Sequence, residues 1–199
     1  MKKYRLYEFL RIIAMPLMKI IFFISFKNEN KLPKDKPFVI CSNHRSYLDP
    51  VFIALGQKRH ISFMAKEELF KVPFLGKFIK ALGAFSVKRG KGDKTAINHS
   101  YELLEQNEVI GIFPEGTRSR TGKLLNPKAG AALFAIKANV PILPAAVCTK
   151  GHVGLFKKVT VKYGEFIMPE DFGVVEESSS QIREASKYIM RKIGQLLEE

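Results

Sequence analysis

Cysteine is scarce in this chain and tryptophan is missing: the 199 residues include two cysteines, Cys41 and Cys148, and no tryptophan. Because the cysteines lie far apart and no secretory cleavage pattern precedes them, the sequence disfavours a disulfide framework and indicates a reducing compartment. The four histidines are scattered, and neither a paired-cysteine motif nor an H-E-x-x-H motif occurs. We therefore expect neither a metal ion nor a bound cofactor.

A long uninterrupted hydrophobic run is also lacking. A membrane span needs about 20 predominantly apolar residues, but Glu8, Arg11, Pro16 and Lys19 interrupt the most apolar segment, 4–26. Apolar residues instead recur at helical spacing among cations, which predicts a basic amphipathic helix lying in a membrane interface. These residues are Leu6, Phe9, Leu10, Ile13 and Leu17. The alternatives are a terminal helix packed on the domain and a cleaved signal peptide, which lacks its small-residue cleavage site.

Acidic residues are few: 19 Asp and Glu stand against 33 Lys and Arg, a net charge of +14. The surface therefore needs an anionic partner, which could be nucleic acid, anionic lipid or an acidic carrier protein. A second basic stretch, 66–94, mixes lysines with Phe70, Phe74, Phe78 and aliphatic residues. The aliphatic residues favour a surface that faces a membrane or an acyl donor over one that binds nucleic acid.

Strand-like and helical segments alternate after residue 37. Short apolar runs predict strands at 38–41, 61–65, 84–87, 109–113, 142–147 and 159–163. Helical patterns lie at 93–106, at 127–139 and after a capping box at Ser178 and Gln181. This alternation predicts an α/β fold with a single mixed sheet flanked by helices. We expect an N-terminal helical membrane anchor (1–27), a linker (28–37) and one main domain (38–199).

His44 and Asp49 supply a base and an orienting carboxylate within one short segment. A neutral imidazole can remove a hydroxyl proton near neutral pH, and a carboxylate selects its tautomer and stabilises the imidazolium. Five residues correspond to about 500° of helical rotation, so the pair cannot meet within one regular helix. We predict that His44 lies on a strand-to-helix loop and that Asp49, before Pro50, is the N-cap of the helix. The alternative is a purely structural pair.

A second cluster, 113–120, follows the apolar run 109–113 and contains Arg118 and Arg120. A buried strand that ends in a loop rich in Pro, Gly, hydroxyls and arginine places cations and backbone N–H groups at the edge of a sheet. An anionic ligand, above all phosphate, could bind there. The alternative is a solvated turn whose arginines point into water.

Four ordered blocks of this sequence resemble those of the glycerolipid acyltransferases, and most closely the bacterial lysophosphatidate acyltransferase type. The blocks are Asn43-His44-Arg45-Ser46-Tyr47-Leu48-Asp49, Gly83 through Arg89, Phe113-Pro114-Glu115-Gly116-Thr117-Arg118 and Val140-Pro141-Ile142-Leu143-Pro144. The first block occurs by chance in many chains, whereas the third is specific. The order and spacing of all four, over about residues 40 to 147, carry the resemblance.

The resemblance implies transfer of a fatty acyl group from acyl-CoA or acyl carrier protein to the sn-2 hydroxyl of 1-acylglycerol-3-phosphate, giving phosphatidate. His44 would be the general base and Asp49 its partner, and the hydroxyl would attack the thioester directly. Neither cysteine lies in a second His-Asp arrangement, so a cysteine nucleophile is poorly supported, and Cys41 is interpreted as a buried packing residue.

The resemblance also assigns residues to the acceptor phosphate. They are Glu115, Gly116, Thr117, Arg118 and Arg89, with Arg118 as the main clamp because its planar fork suits phosphate. Lys66 is a further phosphate candidate, with a surface lysine paired to Glu67 or Glu68 as the alternative. Asn43, Pro141 and Pro144 are interpreted as shaping the site, and a proline within a strand pattern usually indicates an edge or distorted strand.

These expectations place the protein on the cytoplasmic face of the cell membrane, as a peripheral or monotopic protein. Its partners would be anionic lipid, a lysophospholipid acceptor and the acyl donor, without nucleic acid. Other acceptors remain open, including glycerol-3-phosphate and other lysophospholipids. A thioesterase, or a non-catalytic basic module that binds membrane or nucleic acid, is the further alternative.

Overall fold

The computed structural model describes residues 4–29, 35–88, 93–174 and 178–199. Its strands form one seven-stranded sheet in the order β1-β7-β6-β2-β5-β3-β4. They are Ser25–Lys27 (β1), Phe38–Ser42 (β2), Ile61–Lys66 (β3), Phe85–Val87 (β4), Val109–Ile112 (β5), Ile142–Cys148 (β6) and Thr160–Tyr163 (β7). Strands β2, β3, β4, β5 and β6 run parallel, whereas β7 pairs antiparallel with β6. The predicted single mixed sheet is confirmed.

Helices cover both faces of this sheet. They are Arg5–Phe22 (α1), Asp49–Leu55 (α2), Glu67–Phe70 (α3), Leu75–Ala81 (α4), Lys94–Glu105 (α5), Gly130–Ala138 (α6) and Ser179–Glu198 (α7), with a short 3₁₀ helix at Pro169–Phe172. Alternate residues of β2 point to opposite faces, as the pleat requires. Val39 and Cys41 pack in the cluster formed with α5, α6 and α7. Phe38 and Ile40 pack in the cluster that includes Phe22 of α1 and Phe52 of α2.

The central strands are buried on both faces, which explains their continuous apolar runs. All residues of β2 and β5 are buried. Gly111 of β5 leaves room for a neighbour, because a Cβ there would lie 2.3 Å from the ring of Phe63. The core therefore fixes three strands, β2, β5 and β3, whose C-terminal ends lie at the same edge of the sheet.

Pro144 lies inside β6, which is an inner strand between β2 and β7. The prediction of an edge or distorted strand is therefore wrong for this proline. Its missing N–H is tolerated because the ladder with β7 begins only at the next residue, Ala145. The carbonyl of Pro144 accepts the N–H of Gly164 at 2.8 Å.

The C-terminal end of the predicted anchor, residues 22–27, packs into the sheet and its core. Strand β1 pairs with β7, and Phe22 and Ile24 are buried in the core, so residues 22–27 are part of the folded domain. The predicted boundary at residue 27 is therefore wrong, because the short strand lacks the length of apolar alternation that identifies a strand in a sequence. Residues 30–34 of the predicted linker lie outside the described residues.

Most large apolar side chains of α1 face solvent. Leu6, Phe9, Ile13 and Leu17 of the predicted apolar face are each about half exposed, and Ile12 and Ile20 are exposed further. Tyr7 and Phe22 are the buried residues of α1. Within the part of the chain that the structure describes, no helix is long and apolar enough to cross a membrane.

Candidate active site

The predicted site residues converge at one edge of the sheet. His44 follows β2, Glu115 to Arg118 follow β5 and Lys66 ends β3, and these three strands are parallel. We call this the catalytic edge. Ligand sites of open α/β sheets lie beyond the carboxyl ends of the strands, so the topology alone brings together two motifs about 70 residues apart.

The His44–Asp49 pair has the predicted contact. Nδ1 of His44 lies 2.8 Å from Oδ2 of Asp49, and the side chain of Asp49 is fully buried while that of His44 is 14% exposed. This contact favours the tautomer with the proton on Nδ1, which leaves Nε2 as the basic nitrogen. The ring of Phe113 stacks on the imidazole, with centroids 4.0 Å apart. The imidazole is therefore held in both tautomer and orientation.

Asp49 is not the N-cap that the sequence predicts. It is the first residue of α2, and Leu48 occupies the cap position. The carboxylate turns back instead and accepts the N–H of Arg45 at 2.6 Å and that of Ser46 at 2.7 Å. These bonds close the loop around His44, so Asp49 shapes the backbone as well as the imidazole.

Glu115 lies beneath the loop rather than facing a ligand. Its side chain is buried, and its two oxygens accept the N–H of His44 at 2.8 Å and that of Leu125 at 2.9 Å. Burial raises the pKa of this carboxyl, against the opposing effect of the two N–H donors. The predicted contact with phosphate is not what this geometry offers, since both oxygens are occupied and a carboxylate would repel the anion. Glu115 instead joins the 113–120 segment to the backbone of His44.

Gly116 and its two successors form the turn above Glu115. Gly116 has φ +67°, and its N–H donates to the carbonyl of Phe113 at 2.9 Å. The glycine is thus required for a left-handed turn. Thr117 is exposed and Arg118 is half-buried. The guanidinium of Arg118 lies 3.5 Å from the ring centroid of Tyr47, which follows the base in the sequence. Cation–π packing of this kind holds the fork against Tyr47, three residues after His44.

The geometry gives less support to the other two phosphate candidates, Lys66 and Arg89. Nζ of Lys66 lies 2.8 Å from Oε1 of Glu68, and both side chains are substantially exposed, as in the alternative of a paired surface lysine. Arg89 lies outside the described residues. Within the described chain, Thr117 and Arg118 are therefore the phosphate candidates that the geometry supports best.

Asn43, the residue before His44, is hydrogen-bonded to the neighbouring strand β6. Its Nδ2 donates to the carbonyl of Val147 at 3.1 Å, and its Oδ1 accepts the N–H of Val147 at 2.8 Å. The predicted site-shaping role suits this clamp. Pro141 lies elsewhere: its carbonyl accepts the N–H of Val39, at the end of the sheet opposite the catalytic edge. Pro144 pairs with Cys41, three residues before His44.

Sequence reasoning missed Arg45, Tyr47 and Phe113 as contributors to the site. The guanidinium of Arg45 donates to the carbonyls of Thr149 and Gly151 and so joins the base to the loop after β6. Gly122 accommodates it, because a Cβ there would lie 2.5 Å from the guanidinium. All three residues belong to the quoted motifs, but nothing in their spacing indicates which neighbour each one contacts.

Neither cysteine thiol is activated, and the described residues contain no metal-binding group of His, Cys, Asp and Glu. Burial raises the pKa of both thiols, Cys41 and Cys148, which disfavours the nucleophilic thiolate. Cys41 is fully buried, as predicted for a packing residue. Among the described His, Cys, Asp and Glu residues, no group of three could hold a metal ion. The arrangement is suited to removing a proton from a hydroxyl beside a bound anion.

Comparisons with known proteins agree with this chemistry. A family model described as Acyltransferase matches residues 23–148. A 1-acyl-sn-glycerol-3-phosphate acyltransferase of Bacillus subtilis is 36% identical over 149 residues, which cover 73% of this chain and 74% of the relative. A 1-acyl-sn-glycerol-3-phosphate acyltransferase of Saccharomyces cerevisiae is 32% identical over 75% of this chain, but the chain spans only 50% of that relative.

A solved structure has the same fold. The crystal structure of the 1-acyl-sn-glycerophosphate (LPA) acyltransferase PlsC from Thermotoga maritima matches with a TM-score of 0.70 and 27% sequence identity. The match covers 94% of this chain and 75% of the other. The mixed sheet flanked by helices is therefore shared with that protein.

Proposed function

The chain belongs to the acyltransferase family, and we propose that it transfers a fatty acyl group to the sn-2 hydroxyl of 1-acylglycerol-3-phosphate, giving phosphatidate for phospholipid biosynthesis. The observation that carries the proposal is the position of the His44–Asp49 pair beside the Arg118 loop, at one edge of the sheet. The acyl donor is a thioester, either acyl-CoA or acyl carrier protein. Both donors are acidic and suit a protein with a net charge of +14.

The chemistry follows from the tautomer of His44. Nε2 removes the proton of the acceptor hydroxyl as its oxygen attacks the thioester carbonyl, and buried Asp49 stabilises the imidazolium that forms. When the tetrahedral intermediate collapses, the C–S bond breaks and the imidazolium returns the proton to the thiolate. An ester and a free thiol result, and no acyl group is attached to the enzyme.

In this proposal the acceptor phosphate is bound by the 113–120 segment. Arg118 offers a planar fork of donors and Thr117 a hydroxyl, and both follow the Gly116 turn. Glu115 contributes indirectly, by fixing the backbone of His44 relative to this loop. The backbone N–H of Ser119 also donates to the carbonyl of His44 at 2.7 Å, so the loop that carries Arg118 is bonded directly to the residue that would act as base.

We place the reaction at the cytoplasmic face of the membrane, where the protein is peripheral or monotopic. The exposed apolar side chains of α1 support an interfacial helix over a helix packed on the domain. Lys19 and Lys27 flank its C-terminal end, and residues 9–28 contain no acidic side chain. Anionic lipid is the surface that such a segment prefers.

The purified protein is tested with lysophosphatidate and a long-chain acyl-CoA. We expect release of free CoA and formation of phosphatidate, with kcat reduced about 10²- to 10⁴-fold in His44→Ala because the general base is lost. His99→Ala is the matched control, since His99 is an exposed histidine on α5. Full activity of His44→Ala would contradict the mechanism, and CoA release without acceptor would identify a thioesterase. Mass spectrometry over a panel of acceptors and donors then distinguishes lysophosphatidate from glycerol-3-phosphate and acyl-CoA from the carrier protein.

A further inference from the structure

Three phenylalanines have an unusual backbone conformation. Among the described residues, the non-glycine positions with positive φ are Asn28, Asn107, Asn139, Phe23, Phe74 and Phe156. Asparagine commonly adopts this left-handed region, whereas a bulky aromatic residue there is an outlier that costs free energy. A strained residue that packs in a core could be held by its neighbours. These three are instead exposed, at 54% for Phe23, 86% for Phe74 and 68% for Phe156.

Phe23 and Phe156 belong to two segments that are bonded together at the catalytic edge. The N–H of Phe156 donates to the carbonyl of Ile21 at 2.7 Å, and the N–H of Val159 donates to the carbonyl of Phe22 at 3.0 Å. Residues 149–159 connect β6 to β7, and Cys148 pairs with Thr160 at the end of β6 that lies beside the C-terminal end of β2. The end of α1 and the 149–159 loop therefore form one surface next to His44.

The 149–159 loop is also connected to the base itself. Arg45 donates from its guanidinium to the carbonyl of Thr149 at 3.2 Å and to that of Gly151, while its backbone N–H donates to Asp49. Leu155 is 67% exposed beside Phe156. Because Arg45 bonds the 149–159 loop to the loop of His44, a surface that binds Leu155 and Phe156 would also orient His44 toward that surface.

Phe74 lies on the other side of His44 along the same edge. It follows the C-terminal end of β3 and the short helix α3, and β3 is separated from β2 by β5 in the sheet. Val72 and Leu75 beside it are 44% and 40% exposed. Exposed apolar residues therefore flank the base on both sides.

The sequence around each phenylalanine is free of acidic residues. No Asp or Glu occurs in 9–28, in 69–92 or in 149–164. Lys162 is buried and Lys71 is paired with Glu67. The other lysines of these stretches that the structure describes are Lys19, Lys27, Lys77, Lys80, Lys88, Lys150, Lys157 and Lys158. Exposed phenylalanines among exposed cations suit the boundary between the headgroups and acyl chains of an anionic leaflet.

We propose that Phe23, Phe74 and Phe156 are three insertion points in the interface of an anionic bilayer, which turn the catalytic edge toward the leaflet. The inference rests on the proposed acyl transfer to a membrane lipid and adds two contacts made by the catalytic domain itself. Phe23 and Phe156 lie on one side of His44 and Phe74 on the other, so contacts on both sides limit the tilt that a single amphipathic helix leaves free. The hydroxyl of a lysolipid then meets Nε2 of His44 while its acyl chain stays in the leaflet.

The absence of tryptophan from the chain provides a direct measurement. Phe23→Trp, Phe74→Trp and Phe156→Trp each carry a single reporter, and we expect its emission to shift to the blue when vesicles of equal parts phosphatidylglycerol and phosphatidylcholine are added. Met168→Trp is the matched control: Met168 is 41% exposed, but it follows Ile167, which pairs with Ile142 at the opposite end of the sheet. Its emission should not change. An unshifted reporter at Phe74 or Phe156, or an equal shift at Met168, would overturn the proposal.

Asparagine substitutions separate lipid contact from folding. Phe74→Asn and Phe156→Asn keep a residue that accepts positive φ, so we expect an unchanged or higher Tm together with about tenfold weaker vesicle binding for each variant. Unchanged vesicle binding, or a loss equal to that of Met168→Asn, contradicts insertion. Weaker binding of an acidic carrier protein, or loss of self-association, with vesicle binding intact would assign the surface to that partner and overturn the choice of lipid.

Catalysis in solution distinguishes this inference from the proposed function. With short-chain lysophosphatidate and donor below their critical micelle concentrations, the asparagine variants should retain the kcat/KM of the wild type. If the wild type transfers no acyl group, the proposed function fails, whereas vesicle binding still decides the role of the phenylalanines. If the variants lose soluble activity as well, the phenylalanines support the site rather than the membrane contact.

Discussion

At the residue scale, neighbours within one motif have opposite surroundings. Glu115 is buried under the loop, whereas Thr117, two positions later, is exposed. The family resemblance assigned both to the phosphate site, because a motif shows which residues occur together but not which of them turns inward. The His44–Asp49 contact was predictable, since the chemistry of a base requires an orienting carboxylate. The contacts of Arg45 with Thr149 and Gly151 were not, because they join positions about a hundred residues apart.

The position of Arg118 leads to a prediction about acceptor choice. Arg118→Ala removes a charged hydrogen bond to phosphate, worth about 1.5 to 3 kcal/mol, and should lower kcat/KM for lysophosphatidate roughly ten- to a hundredfold. An acceptor without phosphate should be affected much less. Arg120→Ala is the matched control, since Arg120 is exposed two positions further along the loop. Steady-state kinetics with both acceptors measure the effect, and equal losses for the two would make Arg118 structural.

At the scale of elements, the strands that the sequence predicted were those with continuous apolar runs. All six predicted strands occur, each with one boundary that differs by a single residue, because burial of the central strands on both faces leaves a strong pattern. Strand β1 was missed since three residues carry no periodicity, and its pairing with β7 depends on contacts about 135 residues away. Because β1 is an outer strand of the sheet, removing residues 1–27 would expose β7 and destabilise the domain. The membrane role of α1 must therefore be tested by substitution.

The exposed face of α1 provides that test. Ile12 and Ile20 are 73% and 66% exposed, so Ile12→Gln with Ile20→Gln should leave the circular dichroism spectrum and Tm unchanged. We expect binding to anionic vesicles to fall about tenfold or more, because two apolar side chains no longer enter the interface. Vesicle sedimentation at low and high salt measures the loss. Sedimentation equal to that of the wild type would show that α1 does not contact lipid.

At the scale of the whole molecule, Glu115 predicts a pH dependence of stability. Burial raises its pKa above the ordinary value of 4.5, so the folded state binds the proton more tightly than the unfolded state. Its contribution to stability is present below pH 4.5 and is lost as the pH rises through the raised pKa. Relative to Glu115→Gln, the wild type should therefore lose unfolding free energy over this window. Urea titrations of both proteins at several pH values measure the difference, and a constant or rising difference would contradict the assignment.

The two hydrogen bonds between Asn43 and Val147 imply that His44 is not delivered to the site by a moving lid. Both ends of one amide group hold the residue before His44 to the centre of the sheet. The amide proton of Val147 can then exchange with solvent only when the side chain of Asn43 releases it, so its exchange rate reports how firmly the loop of His44 is held. A substrate must therefore approach an imidazole that is already in place.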